Sequence, residues 1–244
     1  MPRIKLTVAY DGTDFVGWQY QPNGISVQQR LEEAIERLTG IVHAVHSSGR
    51  TDAGVHALGM ACHLTSEKDL PLSAWCEGVN RYLPQTIAVR RAEFVDDQFH
   101  ARFSARGKHY RYTILRDAVR SPGDRLTSWR VKQPLVLSRM QNAAQSFIGQ
   151  HDFAGFRTSG CAANTTIREI YSIAFSENDR LLYIDICGSG FLKNMVRMMV
   201  GTLVDIGRGK RPPGDVRQLL TEPSSTAPAL TAPAQGLCLV EVIY

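Results

Sequence analysis

The sequence predicts an α+β protein made of two ferredoxin-like halves, whose sheets join edge to edge and leave an active-site cleft between them. Two observations support this prediction. Stretches of alternating polar and apolar residues are separated by stretches with helical apolar spacing, and the order β-α-β-β-α-β occurs twice. The 244 residues are 43% hydrophobic and 21% charged, which is typical of a globular protein that buries its own core. We expect the halves to span residues 1–105 and 106–244.

The first half opens with alternating residues at 3–10, which predict a strand. Residues 26–39 predict a helix, because Ser26 can cap its start and Gly40 follows its last apolar position. We expect the other elements of this half to be strands at 41–46, 55–64 and 86–95 and a helix at 72–82.

The second half repeats this order. Residues 191–206 are apolar over most of the helical circumference, so this helix should be largely buried. We expect the other elements to be strands at 108–115, 167–175, 181–187 and 237–243 and a helix at 136–148.

The charge balance and the cysteines suggest where the protein works. Lys and Arg number 28 against 23 for Asp and Glu, which gives a formal net charge of +5. The five cysteines show neither paired nor metal-ligand spacing, so we expect reduced thiols and no structural metal. No apolar run reaches the roughly 18 residues of a membrane span, and the N-terminus lacks an apolar signal core. We therefore expect a cytoplasmic protein.

A basic and aromatic stretch runs from Gln98 to Arg116 and contains no acidic residue. Cations that bind phosphates, interleaved with aromatic rings that stack on bases, are typical of a nucleic-acid surface. A solvated edge strand with aromatic residues in the core would give the same pattern, and both interpretations stay open. The candidate RNA-binding residues are Arg102, Arg106, Lys108 and Arg111.

Asp52 lies between Gly49 and Gly54 and is the only acid between residues 40 and 66. Either it caps backbone amides in a hairpin turn, or it is a functional carboxylate. Arg197 favours the second interpretation, because a cation on a buried helix needs an anionic partner unless its stem lies along the surface. A site between the halves could use this carboxylate and this cation together.

The absence of a second acid close to Asp52 in sequence also limits the reaction. Glycoside hydrolysis usually uses two carboxylates, and no second acid is close in sequence. Metal-assisted hydrolysis would need a cluster of ligands, which the sequence lacks. One aspartate facing a nucleic acid suits nucleophilic or electrostatic chemistry that needs no water.

Six motifs in order across nearly the whole chain resemble those of the tRNA pseudouridine synthase A family. They are Y-D-G-T-D-F-x-G-W-Q at 10–19, S-G-R-T-D-A-G-V-H-A at 48–57, F-H-A-R-F-S-A at 99–105, K-H-Y-R-Y at 108–112, G-x-G-F-L-K-N-M-V-R-x-x-V-G at 188–201 and A-x-G-L-x-L at 234–239. The second motif is highly specific to this family. Residues 117–135 and 221–233 match only loosely.

This resemblance implies the roles of individual residues. Asp52 matches the catalytic aspartate, Arg197 the basic residue that pairs with it, and Tyr110 the tyrosine that stacks on the target base. Arg50 and His56 match substrate-binding positions, and Leu237 or Leu239 matches an apolar residue beside the base, with Leu237 preferred. Family members use no cofactor, act as homodimers and isomerise uridines 38, 39 and 40 in the anticodon stem-loop of tRNA.

The implied mechanism is physically consistent, because a uridine in a stem can be flipped into a protein pocket for a few kcal/mol. An arginine beside Asp52 would keep the carboxylate ionised. Two alternatives remain at this point. A non-catalytic RNA-binding protein would explain the basic stretch but gains nothing from Asp52, and a nucleoside hydrolase would need a second carboxylate or a metal.

Overall fold

A computed structural model describes residues 1–158, 160, 163–222 and 230–244. The strands are β1 (Arg3–Tyr10), β2 (His46–Ser47), β3 (His56–Thr65), β4 (Ile87–Val95), β5 (Gly107–Leu115), β6 (Trp129–Arg130), β7 (Gly149–Asp152), β8 (Ile167–Asn178), β9 (Leu181–Gly188) and β10 (Leu237–Ile243). The α-helices are α1 (Val27–Thr39), α2 (Leu137–Ala144), α3 (Met195–Gly207) and α4 (Asp215–Thr221). Shorter helical segments are a π-helical turn (Ala74–Gly78) and 3₁₀ turns (Gln145–Phe147, Ala154–Phe156, Ala234–Gly236). The predicted α+β class is confirmed.

The chain forms two compact units, Met1–Arg106 with Cys238–Tyr244, and Gly107–Leu237. The predicted division at residues 105 and 106 differs from these units in its treatment of the last strand, which the sequence assigns to the second half. The reason is that β10 pairs in parallel with β3 of the first unit. Such pairing between distant segments leaves no local pattern. The edge-to-edge joining of the halves and the cleft between them stay predictions.

The first unit is organised around β1, which pairs antiparallel with β3 and β4. Its alternating residues Ile4, Leu6 and Val8 are fully buried, which confirms the predicted strand. Helix α1 is also confirmed. The Ser26 hydroxyl accepts a hydrogen bond from the Gln29 amide at 3.1 Å, and Gly40 ends the helix with φ at 74°.

Two predicted elements of this unit need correction. Residues 41–45 form a loop, and only His46–Ser47 pairs with β3. Two backbone amides that could have paired with a neighbouring strand donate to side chains instead. The Ile41 amide donates to the Thr39 hydroxyl, and the Val45 amide donates to the Glu32 carboxylate. The helix expected at 72–82 contains the π-helical turn around the fully buried Trp75.

The second unit contains the antiparallel strand order β5-β9-β8-β7, with the short β6 parallel to β5. The strand pair predicted at 167–175 and 181–187 is confirmed and is longer than expected. Strand β7 and helix α4 were not predicted. Helix α2 is confirmed over part of the predicted range and packs against α3.

Helix α3 begins at Met195, four residues later than predicted. Asn194 precedes it with φ at 61°, a left-handed conformation that cannot continue a helix N-terminally. Leu192 is buried all the same, which explains why its apolar character extended the helical pattern. The predicted burial of this helix is confirmed, because most of its side chains lie in the core.

Candidate active site

The Asp52 carboxylate is carried by a turn that starts from β2 and enters β3. The Ser48 amide donates to Ala61 O at 2.8 Å, and the Val55 amide donates to Asp52 O at 3.2 Å. Gly54 takes φ of 76° between them, which L-residues adopt rarely. Asp52 is half-buried, between buried Thr51 and exposed Ala53. The turn therefore holds its backbone firmly while the Asp52 side chain stays partly accessible.

Tyr10 and Trp18, which belong to the first motif, contact the turn that carries Asp52. The Tyr10 hydroxyl lies 2.8 Å from the Thr51 hydroxyl. The Trp18 amide donates to Thr51 O at 3.2 Å, and the Trp18 side chain is 1% exposed. Both contacts fix the residue that immediately precedes Asp52.

Two glycines allow this close approach. A Cβ on Gly17 would lie 2.6 Å from Thr51 O, and its φ is 114°. A Cβ on Gly12 would overlap the carbonyl group of Val55. Sequence reasoning did not assign a function to these glycines, although their spacing in the first motif was the available signal.

His56 also braces the first motif. Its Nδ1 accepts a hydrogen bond from the Gly12 amide at 3.1 Å and lies 3.1 Å from Asp11 Oδ1. Burial acts to raise the pKa of Asp11, but hydrogen bonds from Thr13 and the nearby His56 outweigh it and hold this pKa below its ordinary value. His56 is 8% exposed, so the contacts that the structure shows position the turn. Its predicted role in substrate binding stays a prediction, as does that of the exposed Arg50.

Arg197 lies on the first turns of α3 in the second unit and ties a distant segment to that helix. Its Nε donates to Ala232 O at 2.7 Å and its Nη1 to Asn194 Oδ1 at 2.8 Å. The Ala232 amide returns a hydrogen bond to Arg197 O at 3.1 Å. Neutral oxygens therefore fix the guanidinium from two sides, a role that the sequence did not predict.

Tyr112 holds the same segment one residue further along. Its hydroxyl donates to Pro233 O at 2.7 Å, and its ring lies so close to Gly236 that a Cβ there would approach within 2.5 Å. Burial raises the pKa of Tyr112 far above its ordinary value, although the charge of Arg197 acts to lower it. Tyr112 is therefore a neutral structural residue that places the start of β10. Its position in the fourth motif was the signal that could have identified it.

Two of the expected base-pocket residues are buried in this unit. Tyr110 is 8% exposed, and Phe191 packs edge-on against its ring at a centroid distance of 5.2 Å. Leu237 is 5% exposed, and Leu239, two residues further along β10, is 1% exposed. The preference for Leu237 over Leu239 stays a prediction.

The structure separates two of the candidate RNA-binding residues. Lys108 and Arg111 are three residues apart on β5, so they point to opposite faces of the sheet. Arg111 also binds both carboxylate oxygens of Asp185, at 3.0 and 3.2 Å. The register of β5 and β9 places Asp185 opposite Arg111. A carboxylate therefore neutralises part of the charge of Arg111, whereas Arg102 and Arg106 are exposed. The RNA-binding role of the four residues stays a prediction.

Comparison with known proteins identifies the family. A sequence model described as tRNA pseudouridine synthase matches residues 6–104 and 143–244. The tRNA pseudouridine synthase A of Syntrophotalea carbinolica is 54% identical over 244 residues, covering 100% of this chain and 97% of the relative. The chain belongs to the tRNA pseudouridine synthase family.

More distant members of the tRNA pseudouridine synthase family also match over most of their length. The tRNA pseudouridine synthase A of Geobacter sp. strain M21 is 51% identical, with 100% of this chain and 99% of the relative covered. That of Myxococcus xanthus is 45% identical, with 100% and 92% covered. The predicted enzyme class is confirmed: this synthase is an isomerase that converts uridine to pseudouridine in tRNA. Within the described residues, no helix is long and apolar enough to cross a membrane.

Proposed function

We propose that this synthase isomerises uridines 38, 39 and 40 in the anticodon stem-loop of tRNA, with Asp52 as the catalytic residue. The contacts of Tyr10, Gly17 and Trp18 with the Asp52 turn support the role of Asp52, and the target positions are those that the family resemblance implies. A catalytic carboxylate must be held in a productive geometry, and a shift of about 1 Å can lower the rate by about 100-fold. A carboxylate that only capped a surface turn would not need this support.

The reaction begins when the target uridine leaves the helix stack and enters the pocket. Tyr110 and Leu237 replace the lost stacking with an aromatic and an apolar surface. Arg50 helps to hold the extruded nucleotide, and His56 maintains the turn and contacts the substrate. The pocket must exclude water during the reaction, because attack of water at C1′ would leave an abasic site.

Asp52 then starts cleavage of the bond between N1 and C1′. In one route its carboxylate oxygen bonds to C1′ while the electron pair of the broken bond leaves on uracil N1. In a second route it removes the C2′ proton and a glycal forms. Attack at C6 of the base is the third. In each route the uracil turns and C5 bonds to C1′, and Asp52 is released: the carboxylate leaves C1′ with the electron pair of the ester bond in the first route, returns its proton to C2′ in the second, and is eliminated from C6 in the third. The C5 proton is lost to a base such as Tyr110, and N1 gains a proton.

Arg197 is the proposed partner of Asp52. An arginine within ion-pair distance lowers the pKa of a carboxylate, so Asp52 would be charged at neutral pH. The support is the burial of α3 and the fixed position of the guanidinium on Ala232 O and Asn194 Oδ1. Arg197→Gln should shift the acidic limb of the pH profile for single-turnover rate to higher pH. An unchanged limb, with activity retained, would remove Arg197 from this role.

The decisive test of Asp52 is Asp52→Asn, which removes the charge and keeps the shape. Single-turnover pseudouridine formation should fall to background, while tRNA affinity changes little, because phosphate contacts dominate binding. Asp14→Asn is the matched control, since Asp14 is an exposed acid of the first motif. It should retain wild-type turnover. Substantial activity in folded Asp52→Asn would contradict the proposed mechanism.

The target positions are tested separately with unmodified tRNA transcripts. Pseudouridine should map to positions 38, 39 and 40 wherever a transcript carries uridine there. Replacing all three uridines by cytidine should abolish product formation and leave binding intact. Product at other positions in that transcript would refute the site assignment without affecting the role of Asp52.

We also propose a cytoplasmic homodimer, on the family resemblance. One subunit would help to position a tRNA whose target enters the pocket of the other. Light scattering at micromolar concentration should give twice the mass of 27.1 kDa. A monomer mass would contradict the dimer, and recovery of the protein outside the cytoplasmic fraction would contradict the location.

A further inference from the structure

Phe103 is the most exposed aromatic side chain among the described residues, with 76% of its surface accessible. It belongs to the third motif, which forms a loop after β4. A single exposed apolar side chain is common on protein surfaces, so exposure alone does not make Phe103 a binding residue. The surroundings of Phe103 indicate what it binds.

The loop that carries Phe103 is anchored at its base. The Ala101 amide donates to His63 Nδ1 at 3.2 Å, and the Tyr244 hydroxyl donates to Ala101 O at 2.7 Å. Arg3 Nη1 donates to Phe99 O at 2.7 Å. These contacts come from β3, the C-terminal residue and β1, so three separate segments fix one short loop.

Hydrogen bonds within the loop hold its tip. The amides of Arg102 and Phe103 both approach His100 Nδ1, at 3.1 and 3.4 Å. The His100 amide donates a hydrogen bond to the Ser104 hydroxyl at 3.0 Å, and the Ser104 amide donates to His100 O at 2.9 Å. A ring mounted on such a backbone loses little conformational freedom when it binds a partner.

The chemistry around Phe103 suits a nucleobase beside a phosphate. The His100 ring lies 4.3 Å from the Phe103 ring at 36°, so the two rings form a partial stack. The Arg102 guanidinium lies 5.6 Å from the Phe103 centroid, and its side chain is exposed. No carboxylate occurs in sequence between Gln98 and Arg116. Aromatic faces next to cations bind unpaired nucleotides in many nucleic-acid proteins.

We propose that Phe103 stacks on an unpaired base of the bound tRNA while Arg102 binds a neighbouring phosphate. This proposal rests on tRNA as the substrate, but on neither Asp52 nor the target positions. It assigns Phe103 to substrate positioning through a base other than the target uridine. Arg102, which the sequence marked as a candidate RNA-binding residue, becomes one half of a two-part contact.

The test compares substitutions of Phe103 with that of Phe94, an exposed phenylalanine on β4. With an unmodified tRNA transcript, Phe103→Ala should weaken binding by about tenfold, as expected for one lost stacking contact. Phe103→Leu should weaken it similarly, because leucine has no aromatic face. Phe103→Trp should bind as well as the wild type, and Phe94→Ala should have no effect.

Fluorescence gives a second readout that a structural role would not change. The chain has three tryptophans, of which Trp18 and Trp75 are buried. The indole introduced by Phe103→Trp should therefore emit as an exposed group and be quenched when tRNA is added, beyond any quenching in the wild type. Absence of this extra quenching would overturn the proposal.

Two other outcomes would also overturn it. If Phe103→Ala lowered the mass in solution and left the affinity of the protein for tRNA unchanged, the ring would belong to an interface between two copies of this chain. If Phe103→Leu bound tRNA as tightly as the wild type, the contact would be apolar and not a stack. Mapping pseudouridine with wild-type protein separates these results from a failure of the proposed target positions.

Discussion

Gly17→Ala tests whether the first motif positions the Asp52 turn. The added methyl would lie 2.6 Å from Thr51 O, whereas ordinary contacts begin at 3.4 Å, so the two segments must separate by about 0.8 Å. The substitution also forces alanine to φ of 114°, and a strained backbone of this kind costs about 1–3 kcal/mol. A shift of this size at a catalytic carboxylate should lower single-turnover pseudouridine formation by about 100-fold.

Gly149→Ala is the matched control for backbone strain. Gly149 has φ of 100° on β7, and the nearest atom to an added Cβ, His151 Nε2, is 3.7 Å away. Its substitution should reduce the free energy of unfolding by a similar amount and leave turnover per folded molecule unchanged. The assay combines a melting curve, tRNA affinity and single-turnover rate for both variants.

The two variants should therefore separate stability from catalysis. Gly17→Ala should keep most of its tRNA affinity, because the proposed phosphate-binding residue Arg102 lies outside the Asp52 turn. Wild-type turnover in folded Gly17→Ala would refute the idea that this glycine positions Asp52. Loss of turnover in Gly149→Ala would show that general destabilisation explains both results.

Three further predictions concern stability and binding. Burial and the nearby His100, His46 and Arg3 lower the pKa of His63 to about 4, so the unfolded state binds more protons than the folded state between about pH 4 and 6.5. The free energy of unfolding therefore decreases as the pH is lowered through that window. It should drop on the order of 1 kcal/mol from pH 7 to 5.5, and His63→Gln should reduce the drop. Arg102→Ala should reduce the slope of log affinity against log salt by about one, and Arg111→Ala by clearly less, because Asp185 already binds this guanidinium. Tyr112→Phe should lower stability by about 1 kcal/mol in chemical denaturation, because Pro233 O loses its donor.

The candidate site was predictable where its signal was chemical and local. Asp52 stands out because it is an isolated acid between two glycines, and its motif indicates the family. The contacts of Tyr10 and Trp18 with Thr51 were not predictable from spacing, because these residues lie 41 and 33 positions from Thr51 and meet it only in the folded chain. The same holds for Arg111, whose partner Asp185 comes from another strand.

The sequence by itself determined the elements whose causes lie within a few residues. Strand β1 follows from alternation, and α1 follows from its apolar stripe, its Ser26 cap and the left-handed Gly40. Only the tertiary structure decided that β10 joins β3, that α3 starts after Asn194, and that residues 41–45 remain a loop. These outcomes depend on packing and hydrogen bonds between distant segments, whose free energies outweigh the small local preferences that a sequence pattern records.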